Sequence, residues 1–279
     1  MLTNSLLDPA GPVSTATRDL LFQSVGLMLV VVVPVFVLTA FVVLRYRQGN
    51  TGARYAPDWD GSRVFEIGIW LVPLAIVLAL WGIVWNATHQ LDPYKPLAGT
   101  GTPLVVQAVA LDWQWLFIYP DENVASLNRL VFPAARPLTI EITSDTVMNS
   151  LSVPALGGQI YAMPGMRTKL NLMASDPGTF VGRNTMFSGD GFSAQTFDAE
   201  ATTASDFDAF LTAARGSRET LDAQAFTTIS QPTINGPARL FSSVEEGLFD
   251  TIMGAHDSMP DMAGKDAPMP SPTHAGHNP

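Results

Sequence analysis

Cysteine is absent from all 279 residues. Disulfides, thiolate metal sites, iron–sulfur clusters and thiol nucleophiles are excluded together, and cysteine usage says nothing about redox compartment. Histidine is scarce, represented by His89, His256, His274 and His277 alone. Lysine and arginine number 15 against 25 acidic residues, a formal net charge of -10. A chain this poor in cations does not build the basic surface that nucleic-acid phosphates require. Charged residues make up only 14% of the whole, lean for a soluble protein. The opening Met1-Leu2-Thr3-Asn4-Ser5 has no basic segment and no long apolar run before Asp8 and Pro9, so no signal peptide is visible.

What is present is unevenly spread. Hydrophobic residues reach 47% and crowd into the first ninety positions. Residues 20–44 run for twenty-five positions without a charge, and residues 67–85 form a second uncharged run. About twenty apolar residues at ~1.5 Å each cross a hydrocarbon core of roughly 30 Å, so both runs read as transmembrane helices. Pro34 and Pro73 lie inside them, which predicts kinks packed against protein that satisfies the freed carbonyls. Trp81, Trp85 and Tyr94 suit the outer interface, and Tyr46, Trp59 and Phe65 the inner one. The connecting loop carries Arg45, Arg47, Arg54 and Arg63, whereas the other flanks offer only Arg18 and Lys95. The excess of positive charge places the loop in the cytoplasm and both termini outside. The expected organisation is an outer N-terminal segment (1–19), a first span (20–44), a cytoplasmic loop (45–66), a second span (67–88) and a linker (89–103).

Beyond the linker the hydrophobic pattern changes to period two. Strands are expected near 104–110, 113–119, 127–132, 137–143, 150–153, 167–173, 179–187 and 192–199, punctuated by Pro and Gly. Many short strands with turn signals at this spacing predict a β-sandwich or Greek-key barrel over 104–200. A helical segment is expected over 201–256: Ser205-Asp206-Phe207-Asp208 resembles a capping box for a helix through Arg215, and a second helix is expected from Ser243 to His256. Residues 257–279, rich in Met, His and Pro and almost without aliphatics, are expected to be disordered.

Three segments carry a resemblance. VMNSLSVP (147–154) and GRNTMFSGDGFSAQ (182–195) are similar to the copper-binding segments of subunit II of heme–copper oxidases, and GGQIYAMPGMRTKL (157–170) to the loop between them. There, a cupredoxin domain holds the dinuclear CuA centre through an early His and a late Cys-x3-Cys-x3-His-x2-Met cluster. In this chain Asn149 stands at the early His, Asn184 and Ser188 at the two Cys, Phe192 at the late His and Gln195 at the Met. Met186 stands where a backbone carbonyl coordinates. Copper of this type needs bridging thiolates and imidazole, and this set offers neither. Joint loss of the ligands, together with NSLLDP (4–9), RYAPDW (54–59), DWQWLFIYP (112–120) and GFSAQTF (191–197), resembles subunit II of cytochrome bo3-type ubiquinol oxidases, the branch without CuA. Relatives of that branch are commonly lipoproteins acylated on a Cys near this start, and no such Cys exists here.

The resemblance implies a multi-pass subunit of the bacterial inner membrane with periplasmic termini, carrying no cofactor and performing no redox step. Ubiquinol, being lipid-soluble, would deliver electrons directly to heme b, heme o and copper B in subunit I, with small subunits III and IV also present. It also implies that Glu66, at the cytoplasmic start of the second span, lies at the mouth of a proton pathway into subunit I. From the residues alone, an acid beside a hydrophobic run is equally an interfacial charge. Trp113 and Trp115 resemble a donor-contact region but read as buried aromatics, and His89 reads as an interfacial hydrogen-bonding group. His256, Met259, Met262, Met269, His274 and His277 suit a weak copper-capturing arm, against the simpler reading of a solvated tail. The competing reading of the whole is a membrane-anchored cupredoxin-like binding or assembly protein that joins no oxidase.

Overall fold

The computed structural model describes residues 6–50, 52 and 61–256. RYAPDW, Trp59, Arg54 and the Met/His-rich tail beyond His256 lie outside the described residues. Helix α1 spans Pro12–Arg45 and α2 spans Arg63–Gln90. Proline at the first helical position presets φ and lacks only an N–H that the first turn leaves unpaired in any case. The uncharged runs lie entirely within these helices, and none of their most apolar stretch is buried by the rest of the chain. Both helices continue through their prolines, Pro34 and Pro73.

The strands are β1 (Leu104–Ala110), β2 (Trp115–Tyr119), β3 (Val124–Leu127), β4 (Arg129–Pro133), β5 (Leu138–Ser144), β6 (Asn149–Ser152), β7 (Gln159–Ala162), β8 (Thr168–Leu172), β9 (Gly178–Asn184) and β10 (Thr196–Thr202). After them come α3 (Ala204–Arg215), α4 (Ala223–Ile229), β11 (Arg239–Phe241) and α5 (Leu248–Gly254). One sheet has the order β11-β3-β2-β1-β5-β8 and the other β4-β10-β9-β6-β7. Pairing is antiparallel except for β1 with β5 and β4 with β10, which run parallel in Greek-key fashion. Between the sheets lies a core that includes Trp115, Phe117, Ile140, Leu151, Leu170 and Phe197. The Phe197 ring contacts Phe117 at 4.9 Å and Trp115 at 5.8 Å, centroid to centroid.

Several expected boundaries are corrected. The stretch 127–132 is not one strand, because Asn128 adopts φ 57 and sends β3 into one sheet and β4 into the other. Its carboxamide fixes that kink by accepting the Trp115 N–H at 2.9 Å and donating to the Gly236 carbonyl at 3.0 Å. The strand expected from 113 begins at Trp115, since Trp113 has φ 67. The strand expected over 192–199 begins at Thr196, after a short 3-10 turn at Phe192–Ala194. Helix α3 is capped by Thr203, whose hydroxyl accepts the Asp206 N–H, and not by Ser205. The last helix starts at Leu248, later than Ser243, α4 falls inside the expected helical segment without having been singled out, and β7 and β11 answer to no sequence expectation. Residues 221–252 bring Leu221, Ile229, Phe241, Leu248, Phe249 and Ile252 onto the outer face of β1–β3, forming a second apolar cluster with Val109, Leu116 and Ile118. The outer face of β2 is thereby covered, which is why β2 is buried along its whole length.

Candidate functional site

The ends of β6 and β9 and the loop joining β9 to β10 converge at one end of the sandwich. Asn149 opens β6 and Asn184 closes β9, so Leu151 pairs with Asn184 across the sheet. Asn184 is buried and is the hub. Its Nδ2 faces Asn149 Oδ1 at 2.6 Å, Gln195 Oε1 at 2.8 Å and Ser188 Oγ at 3.1 Å. Its Oδ1 accepts the backbone N–H groups of Ser150 at 2.8 Å and Met186 at 3.0 Å. The network extends outward on both sides. Asn149 donates to the Val147 carbonyl at 2.9 Å and to Ser144 Oγ at 3.2 Å, while Gln195 donates to the Leu111 carbonyl at 3.3 Å. Ser188 Oγ donates to Gln195 Oε1 at 3.2 Å. Three loops, from β1–β2, β5–β6 and β9–β10, are thereby joined through side-chain amides.

Trp113 closes this arrangement. Its indole N–H donates to the Ser188 carbonyl at 3.0 Å. The ring lies so close to Gly191 that a Cβ there would fall 2.2 Å from it. A bulky residue at positive φ is an uncommon conformation held only by its surroundings, and the Ser188 bond and the Gly191 contact supply that restraint. Sequence reasoning assigned Trp113 to a strand. The glycines at 189 and 191 were the signal that something large packs on this loop.

Of the six positions singled out, Asn149, Asn184, Ser188 and Gln195 share one hydrogen-bonded cluster. Met186 enters only through its backbone N–H. Phe192 stays apart, half-buried, with its ring 5.8 Å from that of the exposed Phe187. The donor set at the cluster is amide and hydroxyl, and the amide groups are already engaged with one another. A dinuclear copper centre bridged by thiolates and capped by imidazole does not fit these residues. Among the described residues, no group of three or more His, Asp or Glu side chains is placed to hold a metal ion.

Close to the cluster, the Asp145 carboxyl is raised above its ordinary range chiefly by burial, with Asp112 adding to the rise and His256 opposing it. Asp112 is held by the Thr146 hydroxyl at 2.7 Å.

Glu66 lies in the first turn of α2, exposed, beside a shallow depression of about 350 Å³ formed with Ile67, Trp70, Leu71 and Leu74. A negative charge in the first turn also complements the helix dipole. His89 Nδ1 donates to the Trp85 carbonyl at 2.8 Å, and its ring lies 4.6 Å from that of Trp85. The imidazole thus finishes an aromatic column begun by Trp81, 5.8 Å from Trp85.

The family described as the periplasmic domain of cytochrome c oxidase subunit II matches residues 123–198, and the oxidase aromatic-rich motif matches residues 215–255. The chain is 42% identical over 255 residues to cytochrome bo(3) ubiquinol oxidase subunit 2 of Pseudomonas putida, covering 91% of this chain and 81% of that one. It is 43% identical to ubiquinol oxidase subunit 2 of Acetobacter aceti, covering 91% and 83%. Among solved structures, the periplasmic domain of cytochrome oxidase subunit II from Bradyrhizobium japonicum aligns at 20% identity and a TM-score of 0.40. That match covers 43% of this chain and 96% of that one.

Proposed function

Because this chain belongs to the ubiquinol oxidase subunit 2 family, we propose that it serves its complex without a redox centre of its own, bracing subunit I and opening a proton pathway at Glu66. It is a two-span membrane protein with a periplasmic domain, and a subunit of an enzyme that oxidises quinol and reduces O2. The observation that carries the proposal is the Asn184-centred network. Where a relay copper would need thiolates, the chain has mutually bonded amides. A water-soluble donor requires a relay outside the membrane, whereas a quinol reaches the embedded subunit laterally. Heme b, heme o and copper B accordingly belong to subunit I in this reading, and subunits III and IV complete the complex. The complex sits in the bacterial inner membrane, with both termini of this chain on the periplasmic side. Family membership sets aside the alternative of an anchored binding protein outside any oxidase. Purified with its partners, the chain should accompany reduced b- and o-type heme spectra and show no near-infrared band of thiolate-bridged copper. Appearance of that band overturns the proposal.

Glu66 has its own test. It lies in the first turn of α2, beside Arg63 and Phe65, and the arginine-rich loop that precedes it supports reading this end of the span as the cytoplasmic interface. There a carboxylate can exchange protons with water on one side and with a partner on the other. Glu66→Gln keeps size and hydrogen bonding but cannot titrate. It is expected to slow steady-state quinol oxidation, by up to the roughly hundred-fold or more that a positioned proton-transfer group contributes, with heme content and assembly unchanged. Wild-type turnover in the assembled variant, at neutral and alkaline pH alike, restores the interfacial reading.

A further inference from the structure

The segment leading into α1 does more than connect. Ala10 donates its N–H to the Ala155 carbonyl at 2.8 Å, and its own carbonyl accepts the Ser175 N–H at 2.8 Å. Ala155 follows β6 in the five-stranded sheet and Ser175 follows β8 in the six-stranded one, so a single residue bridges the mouth of the sandwich. Next to it, the Gly11 backbone lies where a Cβ would come 2.2 Å from the Met173 carbonyl oxygen. Gly157, at φ 87, lies where a Cβ would come 2.7 Å from the Ser14 nitrogen. Ser14 is fully buried, and its hydroxyl accepts the Gly11 N–H at 3.2 Å and donates to the Gly11 carbonyl at 3.0 Å. Pro12 then begins the helix at once. No slack residue separates the clamp from the rod.

The rod is longer than the membrane. The uncharged run starts at Leu20, so Pro12–Asp19 of the unbroken α1 precede it. At ~1.5 Å per residue they raise the clamp roughly 12 Å above the hydrocarbon. The second span is tied down as well. The backbone and side-chain amides of Asn171 both donate to the Pro93 carbonyl, at 3.1 and 3.0 Å, and the Thr100 N–H donates to the Ala135 carbonyl at 3.1 Å. The glycine- and proline-rich stretch after α2 is therefore strapped to the sandwich along its length.

We infer that residues 10–19 form a rigid stalk that sets the height and orientation of the outer domain over the membrane spans before any partner is engaged, the strap after α2 adding a second tether. The gain for assembly is preorganisation, since a domain already oriented loses less freedom on docking than one on a swinging tether. The inference is independent of the redox reading above.

The absence of cysteine from the chain makes the test direct. Nitroxides at Val33→Cys in α1 and Thr179→Cys in β9 are to be measured by double electron–electron resonance, using the full chain in lipid nanodiscs without partner subunits. A single narrow distance distribution is expected. Inserting Gly-Ser-Gly between Thr17 and Arg18 leaves the clamp intact but breaks the rod, and should broaden the distribution by about 10 Å, the end-to-end spread of three such residues. Gly157→Ala should broaden it through the clamp, with near-UV circular dichroism confirming that the sandwich stays folded. A parent distribution as broad as that of the insertion variant overturns the inference, whatever Gly157→Ala does. A narrow distribution in a folded Gly157→Ala chain overturns the role given to the clamp.

Discussion

Asn184→Ala is the sharpest perturbation of the amide cluster. The side chain is 4% exposed and has hydrogen bonds on both its oxygen and its nitrogen. Its removal strands the Ser150 and Met186 N–H groups and leaves Asn149 Oδ1 without its donor, while Gln195 Oε1 keeps the Ser188 hydroxyl. One orphaned buried group costs about 1–3 kcal/mol. Three of them, partly relieved by water entering past the half-exposed Ser188, cost about 3–5 kcal/mol together. On a domain of this size that corresponds to a fall in Tm of roughly 10 °C. Phe192→Ala is the control. It removes a larger side chain from the same loop, but one that is half-buried and outside the network, so it should cost only about 1–2 kcal/mol. Asn184→Asp adds a signature of its own. Its oxygen can still accept from Ser150 and Met186, but an ionised carboxylate would face the oxygens of Asn149 and Gln195. Burial and those oxygens raise its folded-state pKa, so its contribution is present at low pH and is lost as pH rises through that value. The assay is thermal unfolding of the full chain in detergent, read by near-UV circular dichroism. If Asn184→Ala melts no lower than Phe192→Ala, the network does not hold the three loops.

Two further outcomes follow from the same physics. Asp145 is raised chiefly by burial, so the folded state holds its proton more tightly than the unfolded one. The associated stability is present below the unfolded aspartate value and lost as pH rises through the folded one; Asp145→Asn should flatten the acid-to-neutral decline in Tm, and an unchanged profile refutes the assignment. The Tyr119 hydroxyl accepts the Val131 N–H at 2.8 Å and donates to the Val131 carbonyl at 2.9 Å, joining the two sheets inside the core. Tyr119→Phe leaves both backbone groups unpaired and should cost about 1–3 kcal/mol, measurable by urea unfolding; a loss below about 0.5 kcal/mol would show that other groups satisfy Val131.

Local chemistry alone decided a good deal about this protein. Uncharged runs long enough to cross a bilayer, period-two alternation beyond the linker, and the spacing 184–188–192–195 are all properties of consecutive residues, and each survived into the fold as a helix, a sheet or one loop. The lack of cysteine by itself excluded thiolate ligands. Tertiary structure decided the rest, because the remaining features depend on residues far apart in sequence. Asn128 reads as an ordinary strand residue until its carboxamide is seen spanning Trp115 and Gly236. β11 is three residues long and becomes a strand only because the edge of β3 is there to pair with it. The three amides and one hydroxyl of the cluster fall into two segments of the sequence, 147–154 and 182–195, but which of them bond, and that Phe192 is left out, is set by the short turn at Phe192–Ala194 and the placing of that ring beside Phe187. The clamp at Ala10 could not be read from sequence at all. Its partners, Ala155 and Ser175, are backbone groups, and backbone hydrogen bonds carry no side-chain signature.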